Sequence, residues 1–189
     1  MNSPASLRFD LHAAGVLAPG VGSLDELLTL ARTGCAGEDR AGLPSPKALP
    51  ANERRRASQV VRLSLACAEQ ALQARDIGYL NAHGTATPAN DRAEAAATRA
   101  VFGAGAVPIS STKGVTGHTL GAAGVTEAIV TIQALERQTL PATANLRQVD
   151  PRLEIAVVGD SRRAKLRHAM SNSFGFGGTN CSLIFVRAL

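Results

Sequence analysis

Residues 81–91 read NAHGTATPAND and residues 111–124 read STKGVTGHTLGAAG. Each stretch holds one histidine, His83 or His118, among threonines and glycines, just after residues that read as a strand. Loops beyond strand ends are where α/β folds place their sites. Thr85 and Thr87 follow His83 at alternating positions, Lys113 stands five residues before His118, and Glu127 follows on a helical pattern. A single histidine of this kind satisfies a local hydrogen bond as readily as it performs chemistry. Two in matching settings point to chemistry. The helix start after His118 offers unpaired backbone N–H groups and a partial positive charge. That environment favours negative charge developing on a ligand, and a neutral imidazole that donates a hydrogen bond to it.

The other motifs are weaker. SNSFGFGGTN (171–180) places glycines at 175, 177 and 178. It does not follow a strand and open a helix as a dinucleotide loop requires, and STKG lacks the glycine spacing of a phosphate loop. Its aromatics, Phe174 and Phe176, read as a gate or as part of a tight hairpin. Cys35, Cys67 and Cys181 are odd in number and show no CxxC spacing, which argues against a disulfide framework or a zinc site. Cys35 falls in a loop, Cys67 in the middle of a helical pattern and Cys181 in a strand position. A nucleophilic thiol must be exposed, with a lowered pKa, so all three read as structural and no metal site or nucleophile is identified.

The elements that must position these residues follow from the patterning. Residues 7–20 alternate as a strand running into a Gly/Pro turn, 23–34 form a helix with Ser23 as N-cap and Gly34 at its end, and 35–52 are loop. Residues 53–73 carry Val60, Val61, Leu63, Leu65, Ala66 and Leu72 at spacings of a buried helix. A strand at 77–82, a helix at 91–103, a strand at 107–114 running into a glycine loop, and a largely apolar helix at 120–138 follow, then loop at 141–146. Residues 164–189 read as two β segments around a glycine-rich turn. Strands alternating with helices indicate a layered α/β domain with a mainly buried sheet.

Composition bounds the rest. The 189 residues are 45% hydrophobic and 19% charged, as in a globular protein rather than a disordered one. No apolar run reaches the roughly 20 residues of a membrane span, and the N-terminus lacks the pattern of a secretory signal. A cytosolic protein without membrane association is expected. The net charge is +5, and much of the excess sits at 53–58 and 160–168. With only 3% aromatics to stack bases, nucleic acid is not expected. The basic clusters read as a solvated face or as docking for an acidic partner.

YLNAHGTATPAND, VPISSTKGVTGHTLGAAGVTEAI and SNSFGFGGTNCSLIF resemble three successive signatures of the β-ketoacyl-acyl carrier protein synthases, the condensing enzymes of fatty acid and polyketide synthesis. The resemblance is dense from about Asp76 to the C-terminus. It implies the thiolase-like fold, layered α-β-α-β-α in two related halves, and a homodimer or a heterodimer with another ketoacyl synthase. It also implies an acyl chain carried on a cysteine while two histidines assist decarboxylation of malonyl-carrier protein. His83 and His118 would be those histidines, and Lys113 would organise the site with Glu127 as ionic partner. Thr85 and Thr87 would contact the pantetheine arm, and Phe176 with Phe174 would gate the acyl pocket. No cofactor is implied beyond the phosphopantetheine that the acyl carrier protein brings.

The family's nucleophile sits in a motif like ACSS in the first half, and no such motif occurs here. Residues 1–75 resemble the N-terminal stretch of short ketoacyl-synthase-like proteins, chain-length-factor-type subunits among them. The expectation is therefore a remnant of the N-terminal half at 1–75 joined to a C-terminal synthase domain at 76–189, with the nucleophile segment missing and condensation impaired. Two functional readings follow: a synthase-family enzyme, or a non-catalytic partner of a full-length synthase.

Overall fold

The computed structural model describes residues 76–175 and 180–187 and the backbone of strand β1, Phe9–Leu17. The helices expected at 23–34 and 53–73, Cys35, Cys67 and Phe176 lie outside the described residues.

The described elements are β2 (Ile77–Asn81), α1 (Pro88–Phe102), β3 (Pro108–Ser110), α2 (Lys113–Thr116), α3 (Ala123–Arg137), β4 (Thr139–Leu140), β5 (Ala156–Val157), β6 (Arg162–Arg163), β7 (His168–Phe174) and β8 (Asn180–Arg187). Six strands form one sheet in the order β1-β8-β7-β2-β3-β5. Strands β7, β2, β3 and β5 are parallel, while β8 runs antiparallel to both β7 and β1. β4 and β6 make a separate two-stranded pair.

Alternation along the strands builds a core on each face of the sheet. Leu80, Met170 and Ile184 pack with Ile109 and with Phe102 of α1. Their neighbours Tyr79, Ala169 and Phe185 pack with Ala134 and Leu135 of α3. Two helical layers thus sandwich the sheet, and among the described residues no helix is long and apolar enough to cross a membrane.

Helix α1 starts three residues before its apolar pattern suggests. Thr87 caps it by accepting the Asn90 N–H at 3.3 Å, and Pro88 occupies the first turn, where its missing N–H costs nothing. The stretch read as a strand running into a glycine loop at 107–114 is a three-residue strand followed by the short helix α2. Gly114 reads as a breaker, yet it lies inside α2 because the backbone passes so close to the Ala144 carbonyl that no side chain fits. The helix at 120–138 opens with a 3₁₀ turn at Leu120–Ala122, becomes α-helical at Ala123, and ends on a left-handed Gln138.

Candidate active site

His83 follows directly on the buried end of β2. Tyr79 and Asn81 point toward α3, where the Asn81 amide donates to the Glu127 carbonyl at 3.1 Å and to Thr131 Oγ1 at 3.2 Å. The strand end is thereby tied to the helix that carries Glu127. Beyond it, Gly84 takes φ +43° and Ala86 φ +59°, so the loop turns sharply through conformations that L side chains rarely adopt. A buried carboxylate anchors that turn. Glu94 of α1, 4% exposed, accepts the backbone N–H groups of His83 at 2.8 Å and Gly84 at 2.9 Å, and the Asn90 amide at 3.3 Å. Burial pushes the Glu94 carboxyl above its ordinary value, and the two backbone donors oppose the shift.

Lys113, at the start of α2, joins three groups. Its ammonium forms an ion pair with Glu127, donates to the His83 carbonyl, and lies 3.5 Å from His83 Nδ1. The second Glu127 oxygen accepts from Ser173 Oγ at 3.1 Å, which links β7 to the same network. An ammonium can only donate, so Nδ1 of His83 presents its lone pair and the ring proton resides on Nε2. His83 is 6% exposed. Burial first, then Lys113 and His118, hold its pKa down to about 4, so His83 is neutral at physiological pH.

His118 is fixed differently. The Leu120 backbone donates to His118 Nδ1 at 3.2 Å, which again leaves the proton on Nε2. The donor is an unpaired N–H of the turn leading into α3, and Leu120 adopts φ +51° to aim it. Strained backbone of this kind clusters at functional sites. The two imidazoles meet edge to face, with ring centroids 5.3 Å apart. Phe174 also meets His83 edge to face, with ring centroids 5.5 Å apart.

His83 and His118 line one open cavity of about 840 Å3, together with Thr85, Thr87, Phe174 and Cys181. Of the sequence-derived site residues, His83, His118, Thr85, Thr87 and Phe174 therefore come together on its wall, and Lys113 and Glu127 stand directly behind it. Thr85 and Thr87 hydrogen-bond each other at 3.1 Å, so Thr87 serves both the cap of α1 and the cavity wall. Phe174 is not on an exposed turn as its motif suggests. It is the half-buried last residue of β7, because pairing with Asn180 extends the strand that far.

Two wall or support residues were not singled out by pattern. Glu94 sits in the alanine-rich run DRAEAAAT, and a carboxylate on the buried face of such a helix is the signal that finds it. Cys181 reads as packing, yet it faces the cavity as a free thiol.

The arrangement offers two ring N–H donors to one volume, with their partner nitrogens already engaged. Such a pair suits an oxygen that gains negative charge during reaction.

Comparison with known proteins agrees with this geometry. The family described as beta-ketoacyl synthase, C-terminal domain, matches residues 34–147, on both sides of residue 75. The chain is 51% identical over 116 residues to 3-oxoacyl-[acyl-carrier-protein] synthase 2 of Vibrio cholerae, covering 59% of this chain and 28% of that protein. It is 44% identical over 132 residues to the mitochondrial 3-oxoacyl-[acyl-carrier-protein] synthase of Arabidopsis thaliana, covering 67% and 29%. The crystal structure of a beta-ketoacyl synthase from Burkholderia phymatum superposes with a TM-score of 0.71 at 34% identity, over 96% of this chain and 38% of that one. The sheet and its two helical layers are thus the thiolase-like architecture, and the matched region spans under a third of each of these two curated relatives. With well over half of its residues inside the match, the chain belongs to the beta-ketoacyl synthase family through that family's C-terminal domain.

Proposed function

We propose that the cavity binds a malonyl thioester and promotes its decarboxylation, the step that generates the carbanion for condensation with an acyl thioester in fatty acid or polyketide-type synthesis. Loss of carbon dioxide leaves an enolate whose charge collects on the thioester oxygen. Donors aimed at that oxygen bind the transition state better than the ground state, which is what lowers a barrier. The observation that carries the reading is the pairing of His83 and His118 on one cavity with both Nδ1 atoms engaged. Lys113 and Glu127 act behind them as positioning residues, Thr85 and Thr87 receive the pantetheine arm, and Phe174 with Phe176 narrows the acyl side.

The partner in this proposal is an acyl carrier protein, working in the cytosol and delivering the thioester on its phosphopantetheine. The curated relatives are named for action on that carrier. The exposed Arg162, Arg163, Lys165 and Arg167 suit an acidic partner. The test is release of labelled carbon dioxide from malonyl-carrier protein by the purified chain. Release that falls at least a hundredfold in His83→Ala and in His118→Ala supports the reading, and release unaffected by either overturns it.

A second reading is favoured by the lack of an ACSS-like motif. A similar structure, 30% identical with a TM-score of 0.68, is a ketosynthase in complex with its chain length factor from Xenorhabdus doucetiae. In this reading the chain is a non-catalytic partner of a longer synthase. Absence of decarboxylation together with co-purification of such a synthase selects it.

A further inference from the structure

Asn90 lines the cavity but takes no part in the pairing of His83 and His118. It lies half-buried in the first turn of α1, with its backbone N–H already given to Thr87 Oγ1. Its side-chain amide is held one way round. Nδ2 donates to Glu94 Oε2 at 3.3 Å and approaches Asp91 Oδ1 at 3.5 Å. Glu94 Oε2 also accepts the Gly84 N–H, so an acceptor faces the amide there, and the nitrogen end must meet it. Oδ1 of Asn90 has no hydrogen-bond partner among the described residues. It is the polar atom left for a group in the cavity.

The hydroxyls of the same wall supply the complementary half. Thr85 and Thr87 share one hydrogen bond at 3.1 Å, which spends one of their two protons. Thr87 Oγ1 accepts from the Asn90 backbone, so one O–H remains unspent whichever threonine donates to the other. The wall therefore shows one spare donor and one spare acceptor, which match the carbonyl and the N–H of a secondary amide. Thr85 stands two residues beyond His83, at most about 7 Å along the backbone. The amide that fits is one separated from the thioester by a short spacer.

We propose that Asn90 is a specificity residue of this cavity, whose Oδ1 accepts the N–H of a secondary amide in the arm that carries the thioester. The inference rests on the reading that the cavity binds thioesters on an arm received by Thr85 and Thr87, and adds to it the selection of amide over ester. An ester oxygen in place of the N–H sets two acceptors against each other with no proton between them. A site built to pair an N–H rejects the analogue that lacks it.

The test compares the malonyl thioester of N-acetylcysteamine with that of 2-acetoxyethanethiol, which replaces the amide N–H by oxygen and keeps the carbonyl. Release of labelled carbon dioxide by the full chain should favour the amide at least tenfold in kcat/KM. In Asn90→Ala the preference should fall to within threefold, whatever loss both substrates share through Glu94. A wild-type preference below twofold overturns the inference, and so does a tenfold preference that survives in Asn90→Ala. Binding is read apart from turnover with the corresponding acetyl thioesters, which cannot lose carbon dioxide, by NMR titration of the Asn90 side-chain amide resonances. The amide ligand should bind at least tenfold tighter than the ester. Carbon dioxide release without amide preference fails this inference alone. Amide-selective binding without carbon dioxide release fails the malonyl reading alone.

Discussion

Lys113 and Glu127 form an ion pair with side chains only 6% and 3% exposed, and the same ammonium bonds the carbonyl of His83. Two charges that leave water to this extent need each other and further hydrogen bonds to compensate. Ser173 supplies one to the carboxylate, and the His83 loop supplies the other to the ammonium. Charge compensation and placement of the imidazole are therefore one arrangement, and neither side can be altered alone.

Lys113→Met should destabilise the fold by about 3–5 kcal/mol, since it strands a buried carboxylate. Pairing it with Glu127→Gln should recover part of that loss, which a double-mutant cycle of urea unfolding measures. In the Lys113→Met variant the His83 pKa should rise from about 4, because the charge repelling the imidazolium is gone while burial remains. Titration of the ring proton resonances by NMR follows it directly.

Acid should weaken the protein through His83 in a defined window. Its folded-state pKa of about 4 lies below the ordinary 6.5, so as pH falls the unfolded chain binds the proton first. The contribution is intact above about pH 6.5, declines between 6.5 and 4, and is exhausted below that. The span corresponds to about 3 kcal/mol. A His83→Asn variant should show a pH slope of stability shallower by about one proton across that window. Over the same window His83 itself stays a neutral donor until the pH nears 4.

Much of this site is legible in the chain because its chemistry is local. His83 follows strand β2 directly, His118 follows the short helix α2 that succeeds β3, and glycines mark where the backbone must turn. Lys113 and Glu127 bracket His118 in sequence, so a helix start between them brings them together. Glu94 was less visible, since its partners are backbone N–H groups eleven and ten residues away and backbone donors carry no sequence signature. Strands β5 and β6 have two residues each, too few for an alternating pattern, and exist only because β3 and β4 offer them edges. Cys181 shows the limit of periodicity. Alternation gives its sheet face, but only the fold reveals that this face opens onto a cavity at that point.

Glu94→Ala should cost about 2–4 kcal/mol, as two buried backbone donors lose their acceptor. Glu94→Gln retains one acceptor oxygen and should recover roughly half. If the role of Glu94 is to position His83, both variants should lower the rate of decarboxylation with little change in KM. The NMR resonance of the His83 ring should shift in each. A residue serving stability alone would leave that ring signal unmoved below the unfolding transition.

Gly84→Ala tests whether the turn itself aims His83. At φ +43° an added methyl is strained, and it would collide with the Ser111 side chain, whose hydroxyl donates to the Gly84 carbonyl at 2.9 Å. Relief requires the peptide between His83 and Gly84 to rotate, and rotation withdraws the Gly84 N–H from Glu94. The expected cost is about 2–3 kcal/mol in urea unfolding. Ser111→Gly removes the colliding atoms but not the strain, so the double variant should regain only part of the stability. Decarboxylation should follow the backbone rather than the stability: the double variant stays slow if the peptide remains rotated, and a full recovery of rate would show that steric collision with Ser111, not the turn's conformation, sets the imidazole's aim.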